Sequence, residues 1–145
     1  NLSSYLENKM WQPFGMEFDA NWGTHGDEGE HGGCCMNMAL RDYGRIGMFA
    51  MSEGQLPDGR KILPDGWMTE SATPSAGNQG YGYLWWLNND RTYRAQGIFG
   101  QGIYVKPESD LVIAIISAWP VAASGGSIYN AHRNAFYDAV DAMLK

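Results

Sequence analysis

Residues 95–102, Ala-Gln-Gly-Ile-Phe-Gly-Gln-Gly, combine small side chains with accessible backbone in a run flanked by strand formers. Glycine inside a strand marks a bulge, a bend, or a place where another group approaches the backbone. The last case carries chemistry. A reacting carbonyl needs backbone N–H groups aimed at its developing oxyanion, and a small-residue segment can present one. An extended substrate can also pair along such an edge. A plain β-bulge or hairpin bend is the competing reading.

A second cluster offers ligands: His25, Asp27, Glu28, Glu30, His31, Cys34 and Cys35 fall within eleven residues. These types bind zinc, but on rigid turns or one helix face. Here glycines loosen the segment and adjacent cysteines are awkward joint ligands, so we expect a solvated acidic loop and assign no metal and no cofactor. The only two cysteines are adjacent and give no disulfide framework, which leaves the redox compartment open. A nucleophile is missing from view. No Gly-x-Ser-x-Gly elbow occurs, no serine has lysine three residues on, and no tyrosine has asparagine two residues on. His132, beside Arg133, reads as a helix-surface histidine.

The elements that must position these residues change character along the chain. A helix is expected over 2–11, stopped by Gln-Pro-Phe-Gly, then a polar loop over 19–35. Met38, Leu40, Tyr43, Ile46 (or Gly47), Phe49 and Ala50 follow helical spacing up to Gly54. Two Pro-Asp-Gly turns flank a short extended piece, and 67–73 reads as one or two helical turns before Pro74. Then come three expected strands: 81–87, ended by an Asn88-Asn89-Asp90 turn; 93–106; and the apolar run 111–119, expected to be covered on both faces. A last helix, 128–144, with Ser127 as N-cap, places Ile128, Ala131, Ala135, Phe136, Ala139, Val140, Met143 and Leu144 on one face.

This order is α+β: 1–80 helical and loop, 81–145 three antiparallel strands plus a helix covering one sheet face, together one domain. The net charge is −6 with basic residues scattered singly, so no nucleic-acid partner is expected. No apolar run approaches the roughly 20 residues of a membrane span. The helical pattern already running at residue 1, and a sheet with an unpaired edge, lead us to expect further chain upstream.

Several segments in order resemble one family. Residues 3–17, "SSYLENKMWQPFGME", are similar to a helix ending in Trp-x-Pro-Leu-Gly-Met. "GGCCMNMALRDYGRIGMF" is similar to a Gly-Gly followed by an Arg-Asp-x-x-Arg-x-Gly helix. "YGYLWWL", "GIFGQGIYVKPESDLVIAIIS" and the final helix match its last three strands and terminal helix. The family is that of serine β-lactamase-related hydrolases: class C β-lactamases, DD-peptidases, family VIII esterases and 6-aminohexanoate-dimer hydrolases. The Gly-x-x-Gly-Gln pattern and the Trp pair lean toward the esterase and amide-hydrolase branch.

The resemblance implies the C-terminal portion of a β-lactamase/transpeptidase-like fold, hydrolysing esters, amides, small peptides or β-lactam-like substrates through an acyl-enzyme. The serine, lysine and tyrosine of that chemistry would lie upstream, in a missing N-terminal half that becomes this chain's main partner. The family's third motif, on the site-lining strand, corresponds to Ala95, Gln96 and Gly97. Ile98 would donate its N–H to the oxyanion, so Gly97 and Ile98 are the catalytic candidates. Ala95, Gln96, Phe99, Gln101 and Trp22 are the substrate-binding candidates. Alanine at 95 replaces a lysine of class C enzymes, and Arg94 points to the opposite face; efficient penicillin hydrolysis is therefore not expected. The resemblance favours a bacterial periplasmic or secreted protein over a cytoplasmic one. The alternatives are a non-catalytic ligand-binding or sensing module of the same fold, and an unrelated aromatic-rich binding domain.

Overall fold

In the computed structural model, residues 1–88, 90–122 and 128–144 are described, Glu28 by its backbone alone. The chain opens with α1 (Leu2–Leu6), a π-helical turn (Glu7–Trp11) and α2 (Gln12–Phe14), one continuous helical path. The expected stop at Pro13 is displaced to Gly15, which takes φ +78°. Proline lacks an amide donor, and the π turn widens the ladder just before it.

The expected polar loop contains structure of its own. β1 (Asn21–Trp22) pairs antiparallel with β2 (Met36–Asn37), and a Thr24–Glu30 bridge lies between them. Glu30 accepts bonds from the Leu2 and Ser3 amides, which ties this excursion to the first helix. Those bonds, with the Ser3 hydroxyl foremost, hold its carboxyl at about 2.

Helix α3 (Leu40–Met51) lies on one sheet face, and α4 (Trp67–Ser71) follows the two Pro-Asp-Gly turns. The Arg-Asp-x-x-Arg-x-Gly pattern has a structural reason. Asp42, fully buried, accepts from the Glu17 and Phe18 amides and from Arg45. Gly47 lets helix and sheet touch: a β-carbon there would stand 2.6 Å from both Ile103 and Val112.

The sheet has four strands rather than three. They are β3 (Trp86–Leu87), β4 (Tyr93–Gln96), β5 (Gly102–Lys106) and β6 (Leu111–Ile115), antiparallel neighbours in that order. The expected strand over 93–106 is two strands folded on each other, with Gln96 opposite Gly102. The apolar run ends as a strand at Ile115. Of the expected first strand only Trp86 and Leu87 join the sheet; Asn89 of its expected turn lies outside the described residues, as does the Ser127 cap. One face packs Tyr93, Ile103 and Val105 against Ala50 and Met68, so both portions of the chain share one core.

The other face lies under α5 (Ile128–Met143), but the helix is turned away from the expected side. Ile128, Phe136, Met143 and Leu144 are exposed, whereas Arg133, Tyr137 and Asp141 are buried. The reason is the sheet beneath, which presents Arg94, Gln96, Tyr104 and Lys106 on this face. Asn134 accepts from Arg94 at 2.9 Å, Arg133 donates to Gln96 at 2.6 Å and Lys106 donates to Asp141 at 2.8 Å. Tyr137 stacks on Tyr104 with centroids 4.6 Å apart.

Candidate active site

Residues 97–101 form the loop between β4 and β5, and each glycine there or beside it has its own cause. Gly97 gives way to Gln101, whose side-chain oxygen would lie 2.5 Å from an added β-carbon. Gly100 has φ +91° and lies under the Trp119 ring, 2.4 Å from where a β-carbon would be. The loop is a turn closed by the Gly100 amide on the Gly97 carbonyl, 3.1 Å. Gly97 N–H binds the Gln101 carbonyl, and Phe99 N–H binds the Gln101 side-chain oxygen. Ile98 N–H is different: among the described residues nothing accepts it.

Ile98 lines a cleft of about 670 Å³, together with Gln96, Gly97 and Gln101 on one side. Gly33 to Met38, Tyr43 and Ile116 complete the lining. The sequence-expected residues divide. Gln96, Gly97, Ile98 and Gln101 are brought together here. Ala95 packs on the α3 core, and Phe99 is absent from this lining, its carbonyl accepting from the Trp119 amide. Trp22 lines a separate cleft with the first helix, and its indole N–H donates to the His31 and Cys34 carbonyls. It supports the loop behind the site.

Sequence reasoning missed Met36, Met38, Tyr43 and the cysteines. Cys34 and Cys35 are joined to each other by a disulfide. Their adjacency beside the Gly32-Gly33 pair was the available signal. It also missed Arg133, which holds Gln96 from beneath while its guanidinium lies 5.0 Å from the Trp119 ring centre. Burial and then Arg94 pull its pKa down, although an arginine stays charged. Burial pushes the Tyr43 phenol up, so it stays protonated and can serve as a neutral donor rather than a base.

An antiparallel sheet with helices on both faces and a cleft at the β4–β5 loop is an α+β scaffold. The beta-lactamase family model matches residues 3–134, so the chain belongs to that family of serine β-lactamase-related hydrolases. It is 30% identical over 100 residues to a 6-aminohexanoate-dimer hydrolase of Paenarthrobacter ureafaciens, covering 59% of this chain and 25% of that protein. A solved structure, "Putative 6-aminohexanoate-dimer hydrolase from Bacillus anthracis", superimposes with TM-score 0.81 over 96% of this chain and 38% of its own, at 22% identity. The chain thus spans about a quarter of the curated relative's length.

Proposed function

We propose that this chain forms one wall of the active site of a serine hydrolase acting on esters, amides or small peptides through an acyl-enzyme. The observation that carries the reading is the Ile98 N–H, without a partner among the described residues in a loop whose neighbouring amides at 97, 99 and 100 are all engaged. As a nucleophile adds to the substrate carbonyl, charge moves onto oxygen, and a pre-aimed amide stabilises that charge more than it stabilises the ground state. Gln101 shapes the loop, and Arg133 holds Gln96 on the adjoining strand. The nucleophile and its base come from the N-terminal half of the same fold. Among the described residues β6 has no strand on its outer edge, and exposed Leu40, Ile116 and Phe136 line a cleft with Ala114 and Ile115, which supports this reading. It is a surface that an upstream strand and helix would cover. Position 95, where class C enzymes carry a lysine, is an alanine packed in the core, and Arg94 is bonded to Asn134 on the other face; β-lactams are then poor substrates.

The test uses the full-length protein that carries this chain, with nitrophenyl esters and a serine-directed phosphonate. Expected are turnover and one covalent label upstream of residue 1, with the 145-residue chain alone inactive. Turnover by the chain alone, abolished by the phosphonate, would overturn the placement of the nucleophile. Neither turnover nor labelling of the full-length protein would decide for a non-catalytic ligand-binding module.

A further inference from the structure

The Cys34–Cys35 bond joins chain neighbours, so it closes almost no loop and restricts the unfolded chain little. Its effect is local, and its location is the cleft of Gly97 and Ile98, which both cysteines line. The pair is held from behind. Trp22 donates its indole N–H to the Cys34 carbonyl at 3.0 Å, and Gly23 donates to the Cys35 carbonyl at 2.8 Å. A β-carbon on Gly23 would stand 3.0 Å from that of Cys35, so the pair has no room to retreat. Cys35 has φ +75°, a region that residues with a β-carbon seldom adopt and that persists where surroundings enforce it. The strand behind and the bond to Cys34 are that enforcement.

Beside the disulfide, the cleft is lined by Met36, Met38, Ile98 and Ile116 with the neutral polar Asn37, Tyr43, Gln96 and Gln101, and among the described residues no charged side chain takes part. Thioethers and disulfide sulfur are soft, polarizable surfaces that suit an alkyl chain. We propose that the Cys34–Cys35 disulfide is a specificity-determining wall that receives the neutral aliphatic part of the ligand whose carbonyl meets Ile98 N–H. The position of that carbonyl rests on the function proposed above; the alkyl contact does not.

Opening the bond removes the wall. A dithiol such as dithiothreitol passes two electrons and two protons to the pair, cleaving Sγ–Sγ into two thiols while it becomes a cyclic disulfide. Cys35 then loses one of the two constraints on its left-handed conformation, and the joined sulfur surface separates into two thiols.

The test compares oxidised, dithiothreitol-reduced and C34S/C35S full-length protein, with thiol state read by mass after iodoacetamide. Two readouts are taken: the Kd for hexanamide, and the ratio of kcat/KM for nitrophenyl hexanoate over acetate. A buried methylene is worth about fourfold, so losing contact with two should weaken hexanamide and lower the ratio by roughly 15-fold. Unchanged Kd in the reduced and variant proteins overturns the inference, as does failure of the oxidised protein to bind hexanamide. Alkylation of both cysteines before any reductant is added also overturns it. If C34S/C35S does not fold, reduced wild-type protein carries the comparison. Absence of ester turnover refutes only the proposed function, since hexanamide binding reads the wall directly.

Discussion

Replacing Ile98 by proline removes one N–H and little else. Ile98 is the second residue of the turn closed by Gly100 on Gly97, a position where proline's fixed φ is favoured. Among the described residues its amide has no acceptor to lose, and the residue is 59% exposed, so little burial is forfeited. Proline also restricts the residue before it, but that residue is Gly97, the most permissive type. Stability should therefore change by no more than about 1 kcal/mol. Turnover is another matter. Deleting one oxyanion donor typically costs ~10²–10³ in rate, about 2.7–4 kcal/mol, and the loss falls on kcat because the charge exists only in the transition state. The assay is steady-state ester hydrolysis by the full-length protein, paired with thermal melting. Ile98→Ala, which keeps the N–H, should lose far less than Ile98→Pro. A proline variant within about tenfold of wild type, with melting unchanged, would refute the oxyanion assignment.

Further outcomes follow from packing and charge. Gly100→Ala must hold φ +91° and displace the Trp119 ring, so melting should fall by the equivalent of about 2–4 kcal/mol; an unchanged Tm would contradict the loop geometry. Gly47→Ala should overpack Ile103 and Val112 at a cost of about 1–3 kcal/mol, measured by urea unfolding. Asp42→Ala strips two amides and Arg45 of a buried acceptor and should cost about 3–5 kcal/mol, with hydrogen exchange quickening at Glu17 and Phe18. Glu30 has a folded pKa below its unfolded value. Its support of the first helix is therefore complete above the usual carboxylate range and lost as pH falls from about 4.5 toward about 2. Amide exchange at Leu2 and Ser3 should rise over that window in wild type, and Glu30→Gln should flatten the response.

Much of the scaffold was legible because period and punctuation are local properties. Alternation along 93–96 placed Arg94 and Ala95 on opposite faces, and the structure sends Arg94 to Asn134 and Ala95 to the α3 core. The two Pro-Asp-Gly turns stand where expected, with Gly59 and Gly66 at positive φ. The apolar run at 111–115 has Val112 toward one cluster and Ile113 and Ile115 toward the other. Of the expected site residues, Gln96, Gly97, Ile98 and Gln101 line one cleft, while Trp22, Ala95 and Phe99 do not.

By itself the sequence determined the α+β order, the antiparallel neighbours and the covering helix, and it singled out 95–102 as a glycine-rich segment. Those follow from residue types within a few positions of each other. Only tertiary structure decided which face of α5 is buried. The apolar stripe is the obvious choice, yet the sheet offers Arg94, Gln96 and Lys106, and buried polar groups must find partners. Only it decided that Gly97 yields to the side chain of Gln101, that Gly100 yields to Trp119, and that Cys34 and Cys35 face the same cleft as Ile98. Each of these depends on which distant residue arrives at a position, and periodicity within one segment carries no record of its visitors.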